Sequence, residues 1–157
     1  IVVAINGSEA SVRAAMYGIM LARTYNLDLK FVYVVDSATI KYLGMNQMLA
    51  KDEELDFKVD LAYEGQNTLD YILGLAASKG VTAESELKEG SVVTEILKCI
   101  KDFQADLLLI GCSESKPTER FAKRNIHSSH LSDIIANSKV SVVVVQQDDI
   151  ENQFKNF

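Results

Sequence analysis

Short apolar runs alternate with amphipathic helical patterns along the whole chain, and this alternation limits the fold more than any other feature. Runs of strand length are separated by stretches in which apolar side chains recur every three or four residues. Strands that are joined by helices run parallel, and continuous apolar strands such as 107–110 suit a sheet covered on both faces. The sequence therefore predicts an α/β fold with a five-stranded parallel sheet, doubly wound in a three-layer α/β/α sandwich.

Local signals predict where the helices begin and end. Ser8 can cap the first helix through its hydroxyl, and Asn26 closes that helix. The lysine and glycine at 79–80 are a typical end for the long helical pattern that resumes at Leu55. The stretch 37–56 is the least regular, and we predict a loop with some helix there.

The strand boundaries and the last helix follow from the apolar runs. Strands are predicted over 1–5, 27–35, 81–87, 107–110 and 142–145. The last helix is predicted to be capped by Ser128 or Ser129. The 157 residues fit one domain, predicted over 1-146, and 147-157 is a polar C-terminal tail. The tail lacks periodicity, so it is the one segment whose composition suggests disorder.

Charge and cysteine content exclude several classes of partner. The net charge of −6 predicts no nucleic acid partner and no attachment to an anionic membrane surface. No apolar run approaches the roughly 20 residues that a membrane helix needs, and no signal-peptide pattern is visible. Two cysteines are too few for a disulfide framework, so they predict reduced thiols and a cytoplasmic location.

In parallel sheets of this kind, ligands bind beyond the carboxyl ends of the strands, near the point where the strand order reverses. The residues that follow the predicted strands are therefore the first candidates for a site. They are Asn6-Gly7-Ser8, Val34-Val35-Asp36, Gly90-Ser91 and Gly111 with the residues after it.

Four segments at these strand ends resemble universal stress proteins. The segments read IVVAINGS from Ile1, FVYVVD from Phe31, DLLLIG from Asp106 and SSHLSDIIANSKVSVVVV from Ser128. Their order and spacing cover nearly the whole chain. The resemblance implies a Rossmann-like fold of the adenine-nucleotide alpha hydrolase type, and it implies a homodimer in which the final strand, Val142-Val143-Val144-Val145, pairs with its copy. The alternative cover for this apolar edge is the tail 146–157, folded back through Ile150, Phe154 and Phe157.

Many members of that family bind ATP through the pattern G-x2-G-x9-G-[ST], whose glycines and helix-start amides approach the phosphates. The resemblance places Gly111 at the first glycine, Glu114 at the second and Ser128 at the third, with Ser129 at the hydroxyl position. It places Asn6 at the ribose-contacting aspartate and Val34 at the adenine contact. Two glycines are thus replaced, and the spacing is four residues longer than the family pattern. A carboxylate at position 114 would repel phosphate.

The lengthened loop before the last helix carries basic residues that favour an anion instead. Lys123 and Arg124 come just before the predicted helix start, where the helix dipole also favours negative charge. We identify Lys123 and Arg124 as candidate anion contacts.

Other chemistry-bearing residues have simpler explanations. His127, His130 and Asp133 recur every three residues, but the third lies almost two turns from the first, so a polar helix face is the better interpretation and no metal site is predicted. Cys112 follows a strand end, where a small residue in a crowded turn explains it better than a reactive thiol. Cys99 lies between core positions of a helix and is predicted to pack there.

These observations leave three functional hypotheses. The first is a non-catalytic stress-response or signalling module with weak or lost ATP binding, which assembles as a homodimer and needs no cofactor. The second is a member that binds ATP or AMP through an atypical phosphate loop. The third is an enzyme that hydrolyses ATP or transfers its phosphate, and it has the least support because general bases and metal-binding carboxylates are scarce at the strand ends. The protein partner and the stress are not encoded in any motif of the sequence.

Overall fold

The protein is described by a computed structural model that covers residues 1–112 and 126–157, with residues 126–129 described by their backbone alone. Its centre is a five-stranded parallel sheet in the order β3-β2-β1-β4-β5. The strands are β1 Val2–Ile5, β2 Lys30–Asp36, β3 Glu84–Gly90, β4 Leu107–Gly111 and β5 Ser141–Val145. The predicted fold class is confirmed, and β5 lies at an edge as the resemblance implied.

Helices cover both faces of the sheet. The helices are α1 Glu9–Tyr25, α2 Ser37–Met45, α3 Lys51–Ser78, α4 Val92–Asp102, α5 Ile126–Asn137 and α6 Ile150–Asn156. Apolar side chains of β1 alternate between the two faces, so Val3 packs with α1 and α3, whereas Val2 packs with α4 and α5. In the described residues, no helix is both long enough and apolar enough to cross a bilayer.

The predicted helix ends are confirmed for the helices of the first half. The Ser11 N–H donates to Ser8 Oγ over 3.2 Å, so Ser8 caps α1. Asn26 ends α1 in the left-handed conformation, with φ of 53°. Lys79 follows the last residue of α3, and Gly80 has φ of 70°, a conformation that glycine adopts without steric cost.

Several boundaries were predicted wrongly. The strand predicted over 27–35 lies at Lys30–Asp36. The strand predicted over 81–87 lies at Glu84–Gly90, because pairing with β2 continues as far as Asp36 opposite Gly90. This edge strand tolerates polar residues since Glu86 forms ion pairs with Lys30 and Lys88, at 3.0 and 2.8 Å. Helix α5 begins at Ile126, so neither Ser128 nor Ser129 precedes it as a cap. The irregular stretch 37–56 is helical in α2 and in the first turn of α3, as predicted in part.

The C-terminal tail is ordered, which corrects the expectation of disorder. Ile150 and Phe154 lie on one face of α6 and are buried in the core, and α6 packs on α1. The Arg23 guanidinium lies 5.0 Å from the centre of the Phe157 ring, and the Lys79 ammonium lies 4.9 Å from that of Phe154. Two apolar residues four positions apart form too short a pattern to predict a helix. They are enough to stabilise one when they can pack on the surface of α1.

Candidate functional site

The strand register brings together three of the residues that the resemblance assigned to a nucleotide. Ile5 pairs with Tyr33 and Ala4 pairs with Ile110, so Asn6, Val34 and Gly111 lie at the same edge of adjacent strands. Ser128 and Ser129 lie in the first turn of α5, but their side chains are outside the described residues. Lys123, Arg124 and Glu114 are also outside the described residues.

Asn6 has a structural role that does not require a ligand. Its Oδ1 accepts hydrogen bonds from the backbone N–H and the hydroxyl of Ser8, at 3.0 and 2.7 Å. These bonds close the turn between β1 and α1, and Ser8 then caps the helix. An asparagine at this position is therefore explained by a side-chain-to-backbone turn of the kind that asparagine and aspartate commonly form.

Gly111 also has a structural explanation. A Cβ atom at this position would lie 2.1 Å from the carbonyl oxygen of Ala10 and 2.7 Å from the backbone nitrogen of Ser11. The start of α1 thus packs directly on the end of β4, and only glycine leaves room for it. The glycine that the resemblance assigned to phosphate binding is required by packing alone.

His130 joins the start of α5 to the end of β2. Its Nε2 lies 3.5 Å from Oδ2 of Asp36 and is buried, and it has no hydrogen-bond partner among the described residues. The two side chains are in contact but form no hydrogen bond, and the Asp36 carboxylate already accepts two short bonds from Thr39, at 3.0 and 2.6 Å. Since Val34 packs with α4 and α5, this contact closes over the same face of the sheet edge.

The remaining candidate residues, two cysteines and the polar face of α5, have structural explanations. Within the described residues, His130 and Asp133 belong to no group of three metal-binding side chains. Cys99 is buried as predicted, and burial raises the pKa of its thiol, which disfavours a reactive thiolate. Cys112 donates its backbone N–H to the Val145 carbonyl over 3.0 Å, so its backbone extends the pairing of β4 with β5.

A polar cleft on the opposite face of the sheet was missed by the sequence analysis. It has a volume of about 370 Å³ and is lined by Asn6, Gly7, Tyr33, Glu64, Asn67 and Thr68. We call it the Tyr33 cleft. The signal that could have pointed to it is Gly65, a glycine in the middle of α3. A Cβ there would lie 2.6 Å from the Tyr33 ring, so the glycine makes room for that ring.

Tyr33 supplies a protonated hydroxyl at this cleft. Burial of the phenol raises the pKa of Tyr33, and the nearby Glu64 carboxylate raises it further. The hydroxyl therefore keeps its proton at neutral pH and is available as a hydrogen-bond donor.

Comparison with known proteins gives consistent matches. Residues 1–146 match the model of the universal stress protein family. A universal stress protein of Methanocaldococcus jannaschii is 28% identical over 147 residues, which cover 94% of this chain and 81% of that protein. A universal stress protein from Lactobacillus plantarum superposes with a TM-score of 0.70 at 16% identity, over 92% of this chain and 95% of that one. A universal stress protein family protein from Arabidopsis thaliana, solved with AMP bound, superposes with a TM-score of 0.62 at 15% identity. The superposition covers 96% of this chain and 93% of that one.

Proposed function

Because the chain belongs to the universal stress protein family, we propose that it is a non-catalytic stress-response or signalling module whose binding of ATP is weak or lost. The observation that carries this proposal is the contact of His130 with Asp36, at 3.5 Å. It ties α5 to the end of β2 beside Val34, where the family places the adenine. A nucleotide would have to separate these two side chains or fit beside them.

The residues that remain from the family motif add little affinity for a nucleotide. Asn6 and Gly111 are both accounted for by turn formation and packing. At the phosphate positions the sequence has Glu114 and Ser128 where the family has glycine. A carboxylate close to a phosphate is repelled by about 1 kcal/mol even in water, and by more in a partly dry site.

The main alternative is a nucleotide-binding protein with an atypical phosphate loop, and the AMP-bound relative from Arabidopsis favours it. In that case Lys123 and Arg124 would supply the anion contacts that the lost glycines supply elsewhere. ATP hydrolysis or phosphate transfer is the third candidate, and steady-state release of phosphate from ATP tests it directly.

We expect ATP to bind the parent chain weakly, and we expect the double substitution Glu114→Gly with Ser128→Gly to improve the affinity by about fivefold or more. The reason is the removal of one repulsive carboxylate, worth about 1 kcal/mol, together with closer approach of the backbone to the phosphates. Isothermal titration calorimetry with ATP and AMP measures the affinity of the parent chain and of the double variant. Glu119→Gly is the matched control, because it removes a carboxylate of the same loop that is not at a motif position. Micromolar binding of ATP by the parent chain would support the alternative.

We also propose that the protein is a homodimer that pairs through β5. Within the described residues β5 is hydrogen-bonded on one side only, to β4. The Val145 carbonyl accepts the N–H of Cys112 and so faces β4, and since backbone groups alternate along a strand, those of Val144 face the outer edge. An apolar edge with free backbone groups invites pairing, and a two-fold axis satisfies both copies at once.

Val144 is the best position for a substitution that tests this dimer without damaging the core. Val142 and Val143 pack against the two core layers, so a charge there would damage the fold as well. Val144→Lys is expected to weaken dimerisation by about 100-fold, because an unpaired charge would be buried in the interface at a cost of about 3 kcal/mol. Light scattering after size-exclusion chromatography gives the mass.

Val144→Thr is the control, since it keeps the shape and the backbone donor and is expected to remain dimeric. A parent chain that is monomeric at tens of micromolar would refute the proposal. A Val144→Lys variant that keeps the dimer mass would place the interface elsewhere. The exposed Tyr42, Met45 and Met48 would then be the next candidates.

A further inference from the structure

An apolar groove lies between the first half of α3 and the ends of β2 and β3. It has a volume of about 270 Å³, and the apolar side chains that line it are Val35, Leu55, Val59, Ala62 and Leu87. We call this surface the α3–β3 groove. We propose that the α3–β3 groove docks a partner protein through a helix that is apolar on one face and basic on the other.

The apolar side chains of α3 in the groove recur at the spacing that a docked helix recognises. Leu55, Val59 and Ala62 are four and three positions apart, so they form one row that extends about 10 Å along the helix. Leu55 and Val59 are 62% and 58% exposed and pack in neither core layer of the described residues, so the fold does not account for them. Helices that bind in apolar grooves anchor through side chains at this same spacing.

The charged side chains that line the groove are paired within the protein. The Lys58 ammonium pairs with the Glu89 carboxylate, and the Lys88 ammonium lies 2.8 Å from a carboxylate oxygen of Glu86. The volume is also just below the range of about 300 to 1,000 Å³ that is typical of small-molecule pockets. The apolar surface of a protein therefore fits the groove better than a small charged ligand does.

A row of exposed carboxylates runs beside the groove along α3. Asp52, Asp56 and Asp60 are four positions apart, and none of them forms an ion pair with another described residue. Asp52 lies in the first turn, where the helix dipole favours a carboxylate, but Asp56 and Asp60 lie beyond it. Like charges at this spacing repel each other and destabilise the helix. A basic face on the partner would replace this repulsion with attraction.

The same charges argue against other occupants. A second copy of the chain would bring two identical rows of carboxylates together. The β5 edge proposed for the homodimer lies at the opposite side of the sheet from β3, so that dimer leaves the groove open. The row would also be repelled by an anionic membrane surface. A basic partner helix is left, and because this names the partner class of the signalling module proposed above, the inference rests on that proposal.

Fluorescence anisotropy of a labelled synthetic peptide, titrated with the full chain, tests the proposal. The probe is a peptide of about 18 leucine and lysine residues, with the leucines at helical spacing on one face. We expect it to bind at about tens of micromolar or below, and more weakly as the salt concentration is raised. The control is a peptide of the same pattern with glutamate in place of lysine. It should bind about tenfold more weakly or worse, because the carboxylates of α3 repel it.

Two double variants separate the contribution of the apolar row from that of the carboxylates. Leu55→Ser with Val59→Ser should weaken binding of the basic peptide about tenfold, because apolar surface is no longer buried. Asp56→Asn with Asp60→Asn should weaken it about fivefold at low salt. The second variant should not lower the thermal midpoint, since it removes repulsion along α3.

Matched controls lie on the other face of the sheet. Ile135→Ser removes an exposed apolar side chain from α5. Asp102→Asn with Asp133→Asn makes the same change in net charge at exposed positions of α4 and α5. Neither control should change the affinity for the basic peptide by more than about twofold.

The proposal is overturned if the basic peptide does not bind, if the glutamate peptide binds as tightly, or if the control variants lose as much affinity as the groove variants. If Leu55→Ser with Val59→Ser halves the mass found by light scattering, the groove is occupied by a second copy and the proposal is wrong. It is wrong as well if the parent chain sediments with anionic phosphatidylserine vesicles and this variant does not. None of these results depends on ATP affinity, which is tested with substitutions at 114 and 128, so failure here leaves the proposed loss of ATP binding standing.

Discussion

Replacing Gly111 with alanine is expected to lower the free energy of unfolding by about 3 kcal/mol or more. The added Cβ would lie 2.1 Å from the Ala10 carbonyl oxygen and 2.3 Å from the carbonyl carbon. Both are backbone atoms at the start of α1, so they cannot move away without displacing the helix from β4. Overpacking of a well-filled core typically costs about 1 to 3 kcal/mol, and a clash with the backbone lies at the upper end or above it. Urea denaturation measures the change.

Gly74→Ala is the matched control for this prediction. Gly74 lies inside α3, and no atom is found within 4 Å of the position its Cβ would take. Alanine is a better helix former than glycine, so this substitution should raise stability by about 1 kcal/mol. The same chemical change is thus expected to have opposite effects at the two positions. If Gly111→Ala folded as stably as the parent chain, the packing role would be wrong and a role in ligand binding would be favoured instead.

Removing the aromatic ring of Phe154 is expected to have an effect of similar size. Phe154 is 5% exposed and packs in the same core layer as Ile150, Val145 and Ile19. Large-to-small changes of buried phenylalanine cost about 3 to 5 kcal/mol through lost burial and the cavity left behind. Phe154→Ala should therefore lower the free energy of unfolding by about 3 kcal/mol, and a chain that ends at Gln147 should lose more because Ile150 is removed as well.

Phe157→Ala serves as the control, since this ring is 40% exposed and contacts Arg23 by a cation–π interaction at 5.0 Å. Its removal should cost about 1 kcal/mol or less. Thermal and urea unfolding of the three variants give the comparison. Equal stability of Phe154→Ala and the parent chain would contradict the core position of α6.

The hydrophobic core extends beyond the segment that matches the family. The match ends at residue 146, while the core layer beneath α1 continues through Ile150 to Phe154. The C-terminal helix is thus a part of the hydrophobic core that lies outside the matched segment.

The sequence by itself determined the type and the approximate place of most elements. Hydrophobic periodicity is a local property, so the alternation of strands and helices can be read without knowledge of the partners. The caps at Ser8, Asn26 and Gly80 were also predictable, because a cap satisfies hydrogen bonds or dihedral angles within one turn of the chain. The order of parallel strands also predicted that Asn6, Val34 and Gly111 would lie at one edge of the sheet, and the strand register confirms that they do.

The tertiary structure decided everything that depends on which distant segments meet. The contact of His130 with Asp36, the approach of Ala10 to Gly111 and the fit of Tyr33 against Gly65 each join residues of different elements. Local periodicity does not identify the distant residues that a given residue contacts. A glycine that packing requires therefore looks the same in the sequence as one that a phosphate requires. The tail was misjudged for the same reason, because Ile150 and Phe154 become a helix face only against the surface that α1 provides.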